Sequence, residues 1–358
     1  MTHIPVLLKE ILLQLSPQSG GVYVDATFGA GGYSKAILES ADCKVYAIDR
    51  DEMVVKFYDS LNIKYPGKIK LFIEKFSNIK NILDSFEHLV EPSVISQSSS
   101  VVPQTLGSSK VDREQVHYST FSIKLSKNWI PVSVTCMTPD RSRMTPGRSI
   151  NAVDGVVFDI GASSMQLDEG NRGFSFLHDG PLDMRMGGSS QINASTFVNA
   201  LREEEIANTI YNYGGERYSR KIARTIVNAR KKRTIKTTFE LADIVRSVLF
   251  RGKSKIDPAT RTFQAIRIWV NDELGELEKG IKAASEILNK NGKLIVVTFH
   301  SLEDRIVKTF FKNLCDQGLN NCKVFSLLNK KVVKASAEEI NANPRARSAK
   351  LRAIQRLS

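Results

Sequence analysis

Cysteine is scarce and scattered in this chain: the four residues Cys43, Cys136, Cys315 and Cys322 form no C-x-x-C pair and cluster with no histidine. That spacing excludes a disulfide framework and a thiolate zinc site, so reduced, structural thiols and no metal are expected. Long apolar runs are also missing. None approaches the roughly 20 residues that a membrane span needs, and Met1-Thr2-His3-Ile4-Pro5 has neither a basic stretch nor a signal core after it. A soluble, cytoplasmic protein without a membrane partner is expected. Acidic residues are too few to balance the basic ones, 38 against 51, which leaves a net charge of +13 and directs attention to polyanions. With 358 residues and 42% hydrophobic content, the chain still buries a substantial core, in one large domain or two.

The positive excess is concentrated. Between Glu216 and Arg261, 14 Lys/Arg stand against 4 Asp/Glu, and Lys330 to Ser358 has 8 against 2. Taken alone, such a run is as readily a solvated helix face as a nucleic-acid footprint. Its neighbour decides. Val22-Tyr23-Val24-Asp25 alternates as a strand, Ala26 to Gly32 forms a turn with three glycines, and Ser34 to Glu39 reads as a helix. In a parallel sheet this first crossover is where a nucleotide-bearing ligand lies, since glycine lets the backbone approach it and the helix N-terminus offers free N–H donors. A second apolar run, Cys43 to Ile48, ends in Asp49, 20 positions after Gly29, where a carboxylate can accept both hydroxyls of a ribose. Asp25, at the end of the first strand, favours S-adenosylmethionine over a dinucleotide, because a carboxylate beside a pyrophosphate repels it. The third glycine of the dinucleotide fingerprint is absent.

In chain order, a lead-in helix after Pro5 precedes the first strand, and a third strand at Ile69 to Phe76 is expected to bring Phe76 to the same sheet edge, either over an adenine ring or into the core. Ser77 then caps a short helix to Phe86. From Pro92 to Ala152 the chain has 13 serines and 5 prolines with no sustained period, and is read as an inserted, largely disordered segment; the alternative is a small accessory hairpin. A fourth strand ends in Asp159, followed by the polar loop of Ser163, Ser164 and Gln166 and by an irregular stretch, Arg172 to Met186, typical of active-site loops. Four helices then interrupt the alternation: Glu203 to Tyr213, the basic Tyr218 to Lys231, Phe239 to Phe250 with a Thr237/Glu240 capping box, and a long one from Pro258 through Ile281. The last clear strand, Lys293 to Phe299, places His300 at the ligand edge, unless Ser301 and Asp304 there serve only as a helix capping box.

Several motifs together carry a family resemblance: Asp25-Ala-Thr-Phe-Gly-Ala-Gly-Gly, Phe158-Asp-Ile-Gly-Ala-Ser-Ser-Met-Gln-Leu-Asp, Arg172-Gly-Phe-Ser-Phe, Asp179-Gly-Pro-Leu-Asp-Met-Arg-Met, Pro258-Ala-Thr-Arg-Thr-Phe-Gln-Ala-Ile-Arg, Phe299-His-Ser-Leu-Glu-Asp-Arg and Asn343-Pro-Arg-Ala-Arg-Ser-Ala-Lys-Leu-Arg. They span almost the whole chain outside the serine-rich segment and resemble the RsmH (MraW) family. The resemblance implies an α/β protein with a Rossmann-like S-adenosylmethionine-dependent methyltransferase sheet and an inserted helical substrate-recognition subdomain. Residues 1–186 would form the first part of the methyltransferase domain, with the insertion at 92–152; residues 187–268 the helical part; and residues 269–358 the second part with a basic C-terminal segment. It further implies methylation of N4 of a cytidine in the decoding region of small-subunit (16S) ribosomal RNA, with the small ribosomal subunit as partner and the oligomeric state left open.

The same resemblance assigns cofactor contacts to Gly31, Gly32, Tyr33, Asp49, Phe76, Asp159 and Gln166. Tyr33 stands where the family usually has histidine, and Met165 where it usually has proline. A cytosine amine is a poor nucleophile, its lone pair being conjugated into the ring, so catalysis needs acceptors for its hydrogens; Asp159, Ser163 and Ser164 are the candidates. Phe174 or Phe176 would stack the unstacked base, and Arg217, Arg220 and Arg224 would grip RNA. Two further readings stay open: a non-catalytic RNA-binding assembly factor, and a nicotinamide-dependent oxidoreductase on the same strand-loop-helix.

Overall fold

The computed structural model describes residues 5–85, 120–125, 128–133, 152–188, 192–249, 257–316, 318–319 and 322–358. The chain divides into two compact units, Met1–Leu89 with Ser149–Ser358, and Val90–Arg148. In the larger unit, helix α1 (Leu8–Leu15) leads into β1 (Val22–Asp25), α2 (Gly32–Ser40), β2 (Lys44–Asp49), α3 (Val55–Lys64), β3 (Ile69–Ile73) and α4 (Ile79–Asp84). The smaller unit contains the antiparallel hairpin β4 (Thr120–Leu125) and β5 (Asn128–Ser133), in register from Thr120 opposite Ser133 to Leu125 opposite Asn128. The stretch read as an insertion thus contains a hairpin among its described residues. The expectation of disorder for the rest of that stretch falls outside the described residues.

The chain resumes with β6 (Val153–Asp159) and α5 (Ser164–Asp168), then the helices α6 (Ala194–Ala200), α7 (Glu203–Gly214), α8 (Ser219–Lys232), α9 (Thr238–Val248), α10 (Thr260–Asn271) and α11 (Glu273–Glu286). It closes with β7 (Leu288–Thr298), α12 (Ser301–Asp316), a short ribbon β8 (Gly318–Leu319) and β9 (Cys322–Lys323), β10 (Phe325–Leu327), α13 (Ala337–Ala342) and β11 (Lys350–Arg356). The strands form one seven-stranded sheet in the order β10-β11-β7-β6-β1-β2-β3. β3, β2, β1, β6 and β7 run parallel, while β11 and β10 add antiparallel at the far edge. This is the Rossmann-like sheet the strand-loop-helix alternation predicts. Winding goes outward from β1 to β3 and then back across β1 to β6, so the crevice between β1 and β6 is the switch point where ligands bind.

Alternation along the central strands builds two cores, one per face. Val157 of β6 joins Ile295 and Val297 of β7 against α1 and α2, whereas Val156 and Phe158 join Leu294 and Val296 against α4, α11 and α12. All seven are fully buried, as expected for parallel strands covered on both faces. A third core belongs to the helices: Phe197, Ile206, Ile210, Ile222, Ile226, Leu241, Val245, Phe263 and Ile266 pack together with Phe174, Leu182, Met184 and Met186 from the preceding irregular stretch. That stretch is therefore part of the helical layer's interior.

Several local expectations are revised. The third strand stops at Ile73, and Phe76 opens a 3-10 turn instead of ending the strand. Ser77 caps nothing; its hydroxyl donates to Glu276 Oε2 at 2.6 Å. The Thr237/Glu240 capping box is formed, but the one expected of Ser301 and Asp304 is not. There Glu303 Oε2 accepts from the N–H groups of Phe299 and His300 at 2.8 and 3.1 Å, and Asp304 binds Arg352 and Lys350 of β11. The long helix from Pro258 is two helices, broken at Asp272, which takes a left-handed conformation (φ 47°). The break is fixed by Asn271, whose side chain donates to Met184 O and accepts from Met186 N, at 2.7 and 2.8 Å.

Candidate functional site

Three of the parallel strands end in aspartate at one sheet edge, and each carboxylate has a different environment. Asp25 is fully buried and accepts from Ser34 N at 3.1 Å, Ser34 Oγ at 2.7 Å and Thr27 N at 3.4 Å. It thereby clamps the start of α2 to the end of β1. Burial, only partly offset by those donors, pushes its pKa up to about 6. Asp49 accepts from Gly29 N and Asp51 N at 2.8 and 2.9 Å, tying β2 to the glycine loop. Each of its oxygens keeps a lone pair, and burial raises its pKa.

Asp159, the last residue of β6, is the third of the set. Its backbone N–H donates to Thr27 Oγ1 at 2.7 Å, which fixes β6 against β1. Its Oδ2 lies 3.3 Å from the Tyr33 hydroxyl, and its Oδ1 is buried without a hydrogen-bond partner among the described residues. Tyr33 has a single proton and a shorter bond, 2.6 Å, to Val6 O, so little of that proton is shared with Asp159. Burial, reinforced by the negative charges of Asp25 and Glu303 and opposed by Tyr33, lifts the Asp159 pKa to about 7.

These groups open on a cavity of about 340 Å³, lined by Thr27 to Ala30, Gly32 and Tyr33 of the glycine loop, by Asp49, Asp51, Phe76, Asp159 and Gln166, and by Asn343, Arg345 and Ser348 from the C-terminal motif; Gly31, expected as a cofactor contact, is not among the lining residues. Gly31 is left-handed (φ 76°), and a side chain there would collide with Leu61 and Phe28; one at Gly32 would overlap Pro5. Both glycines are thus required by close packing of the loop against the protein's own side chains. Phe76 stacks edge-on against Phe158, centroids 5.3 Å apart, and rests on Gly280, where no Cβ would fit.

The loop after β6 is more tightly built than its sequence suggests. Ser163 is the N-cap of α5: its hydroxyl accepts from Gln166 N while Gln166 Oε1 accepts from Ser163 N, at 3.2 and 3.1 Å. Gln166 Nε2 donates to Asp51 Oδ2 at 2.7 Å, and Arg172 Nη2 donates to the same oxygen at 2.9 Å. Gln166 is thus engaged at both ends by protein. Asp51 and Arg172, which sequence reasoning did not select, knit the loops after β2 and β6 together; residues so far apart leave no local period to find. Ser164 begins α5, and its side chain lies outside the described residues.

The predicted substrate residues are more dispersed. Phe174 is buried in the helical core beneath the Arg172 guanidinium, and Phe176 packs edge-on against Phe263 at 4.9 Å with Arg246 over its ring. Neither is among the residues lining the cavity, so neither offers a free face for a base there. His300 turns to Glu303, with Nε2 2.9 Å from Oε1, and leaves the cavity wall to Phe299. Glu273, His300 and Glu303 have ligand atoms within 4.8 Å of one another. Arg267 already pairs with Glu273 at 2.7 and 2.9 Å, so a cation fills that corner. Arg217, Arg220 and Arg224 are exposed on or just before α8, Arg224 with Glu203 at 3.5 Å.

A family model described as the MraW methylase family matches residues 1–357. Among curated relatives, the chain is 75% identical over 360 residues to the "Ribosomal RNA small subunit methyltransferase H" of Wolbachia sp. subsp. Brugia malayi (strain TRS), each covered completely. It is 53% identical over 363 residues to the protein of the same name from Ehrlichia ruminantium (strain Gardel), again over the full length of both. A solved rRNA methylase from Streptococcus thermophilus aligns with 100% of this chain and 99% of its own at 10% identity, with a TM-score of 0.38, a likeness too weak to bear on the fold.

Proposed function

The chain belongs to the MraW methylase family, and from that premise we propose that it transfers a methyl group from S-adenosylmethionine to the N4 amine of a cytidine in the decoding region of small-subunit ribosomal RNA. The observation that carries the reading is Asp159 Oδ1, a buried carboxylate oxygen with no partner among the described residues, on a residue in the wall of a cavity bordered by the glycine loop.

The residues present suit the cofactor. Asp49 ends β2 with lone pairs left for ribose hydroxyls, Phe76 offers a ring for adenine, and Gly29 and Gly32 admit a ligand close to the backbone. Six carboxylates in the wall suit a cation. Bound S-adenosylmethionine supplies an electrophilic methyl group on a sulfonium. Gln166 acts by holding the loop after β6 against Asp51, since both ends of its amide are occupied. Tyr33 closes the cavity wall beside Asp159, its hydroxyl donated chiefly to Val6 O.

Asp159 Oδ1 accepts an amine hydrogen of the cytosine and draws its nitrogen toward a pyramidal geometry, in which the lone pair is freed from the ring. The Ser163 hydroxyl, already accepting from Gln166 N, keeps a second lone pair for the other hydrogen, and Ser164 stands beside it. After transfer the nitrogen loses one proton, and a carboxylate with a pKa near 7 is well matched to receive it. The cationic α8, with Arg217, Arg220 and Arg224, holds the RNA.

The test is methyl transfer from labelled S-adenosylmethionine to small subunits purified from cells lacking the modification, with the product nucleoside identified by mass spectrometry. N4-methylated cytidine is the expected product. Label on another nucleoside would overturn the assignment of the acceptor. No label with cofactor binding intact would leave the non-catalytic assembly factor, and binding of NADH in place of S-adenosylmethionine would leave the oxidoreductase.

A further inference from the structure

Beside the cofactor cavity lies a second one, of about 560 Å³, which no predicted site residue lines. Arg50 and Lys75 line both cavities and so stand between them. The rest of the wall includes Tyr213, Trp269, Ile192 and Leu274. Its floor is the break between α10 and α11, where left-handed Asp272 turns the chain. Trp269 is held edge-on by Phe197, centroids 5.0 Å apart, and Arg50 is fixed by donation to Asn271 O at 3.2 Å. Lys75 pairs with Glu276 at 3.6 Å, and its side chain, 44% exposed, can meet a second anion from the solvent side. Tyr213 sits in the last turn of α7. The turn that follows leads to Arg217, Tyr218 and Arg220, and Tyr211 and Tyr218 are 58% and 61% exposed.

A base can enter the cofactor cavity only when unstacked from its neighbour, and the neighbour then needs another surface to stack on. The phosphate joining the two nucleotides must lie between their bases, which is where Arg50 and Lys75 stand. Resting on the RNA-methylation reading, we propose that the second cavity is a nucleotide subsite for the residue adjacent to the target cytidine in the same RNA strand. Its phosphate is met by Arg50 and Lys75 and its base by Tyr213 and Trp269. From there the strand continues over Tyr218, Arg217 and Arg220. The subsite supplies the aromatic surface that Phe174 and Phe176, packed in the helical core, do not.

Two measurements test this. Tyr213→Ala and Ile192→Glu, the latter placing a negative charge in the groove, are assayed for methyl transfer to unmodified small subunits and for S-adenosylhomocysteine affinity. The expected result is a KM for subunits raised about tenfold, with kcat within about twofold and cofactor affinity unchanged, which also shows that the variants fold. In parallel, wild-type protein is cross-linked to unmodified small subunits by direct ultraviolet irradiation, which acts on any base, and the cross-linked peptide is expected to contain Tyr213 or Trp269. An unchanged KM in both variants, or cross-links confined to other peptides while the wild type methylates normally, overturns the subsite and leaves the RNA reading standing. Wild-type protein that binds cofactor but labels no RNA overturns that reading and the subsite with it.

Discussion

The cavity at the sheet edge and the surface of the helical layer solve opposite electrostatic problems. In a chain of net charge +13, the cavity wall gathers Asp49, Asp51, Glu74, Asp159, Glu273 and Glu276 against Arg50, Lys75, Arg267 and Arg345. On and around α8 the exposed groups are instead Arg217, Arg220, Lys221, Arg224, Lys231 and Lys232. The carboxylates are held by directional bonds, such as those of Asp49 to the glycine loop and of Asp51 to Gln166 and Arg172, so each oxygen has a defined place. The cations of α8 sit on long solvated side chains and act through a field. Under the proposed function, the first arrangement would position reacting atoms and favour a sulfonium, and the second would attract phosphates with little demand on geometry.

If chemistry belongs to the cavity, Asp159→Ala lowers single-turnover methyl transfer by about 10²–10³-fold, while subunit affinity measured by filter binding changes less than about twofold. Equal losses in rate and binding would break the division. Asp49→Ala comes next. It removes the acceptor for Gly29 N and the ribose site together, and weakens S-adenosylhomocysteine binding in calorimetry by about 10–100-fold, the loss expected for hydrogen bonds to a charged group. Replacing Arg217, Arg220 and Arg224 together by alanine leaves cofactor affinity unchanged. It makes the negative slope of log affinity against log salt shallower by about 2, at about 0.7 per phosphate contact with single-stranded RNA. An unchanged slope would mean that α8 faces away from RNA.

The smallest effect is on stability. Asp159 has a folded-state pKa near 7 against an ordinary 3.8, so between those values the folded protein keeps a proton that the unfolded chain has released. Its contribution is fully present below pH ~4 and is lost as pH rises through ~7. Asp159→Asn cannot ionise, and its Tm advantage over wild type should therefore grow by a few degrees between pH 5 and pH 8 in scanning calorimetry. A gap that narrows as pH rises would contradict the burial of this carboxylate. Asp25, near 6, adds in the same direction.

What could be read from the sequence follows the same division. The strands that end in Asp25, Asp49 and Asp159, and the glycine turn between them, announce themselves through period-2 patterning and turn chemistry over a few residues. The capping box at Thr237 and Glu240 is equally local. The remainder depends on distant partners. Asp51, Gln166 and Arg172 meet only in the fold, and β11 hides in a basic run because its Lys350, Arg352 and Arg356 alternate with the buried Leu351, Ala353 and Ile354. The break at Asp272 is invisible because the apolar spacing runs on from Val270 to Leu277 on both sides of it. Phe174 and Phe176 looked available in an irregular stretch, yet an irregular backbone packs aromatics as firmly as a helix does when a core lies beneath it.

The division of labour is tested most directly by single-turnover methyl transfer with the Arg217→Ala, Arg220→Ala, Arg224→Ala variant at rising concentrations of unmodified small subunits. The account predicts that the rate constant climbs back to the wild-type plateau once subunits saturate, because the cationic surface supplies binding alone. A plateau that stays tenfold or more below wild type would show that α8 shapes the reacting geometry, and would contradict the separation of the two regions.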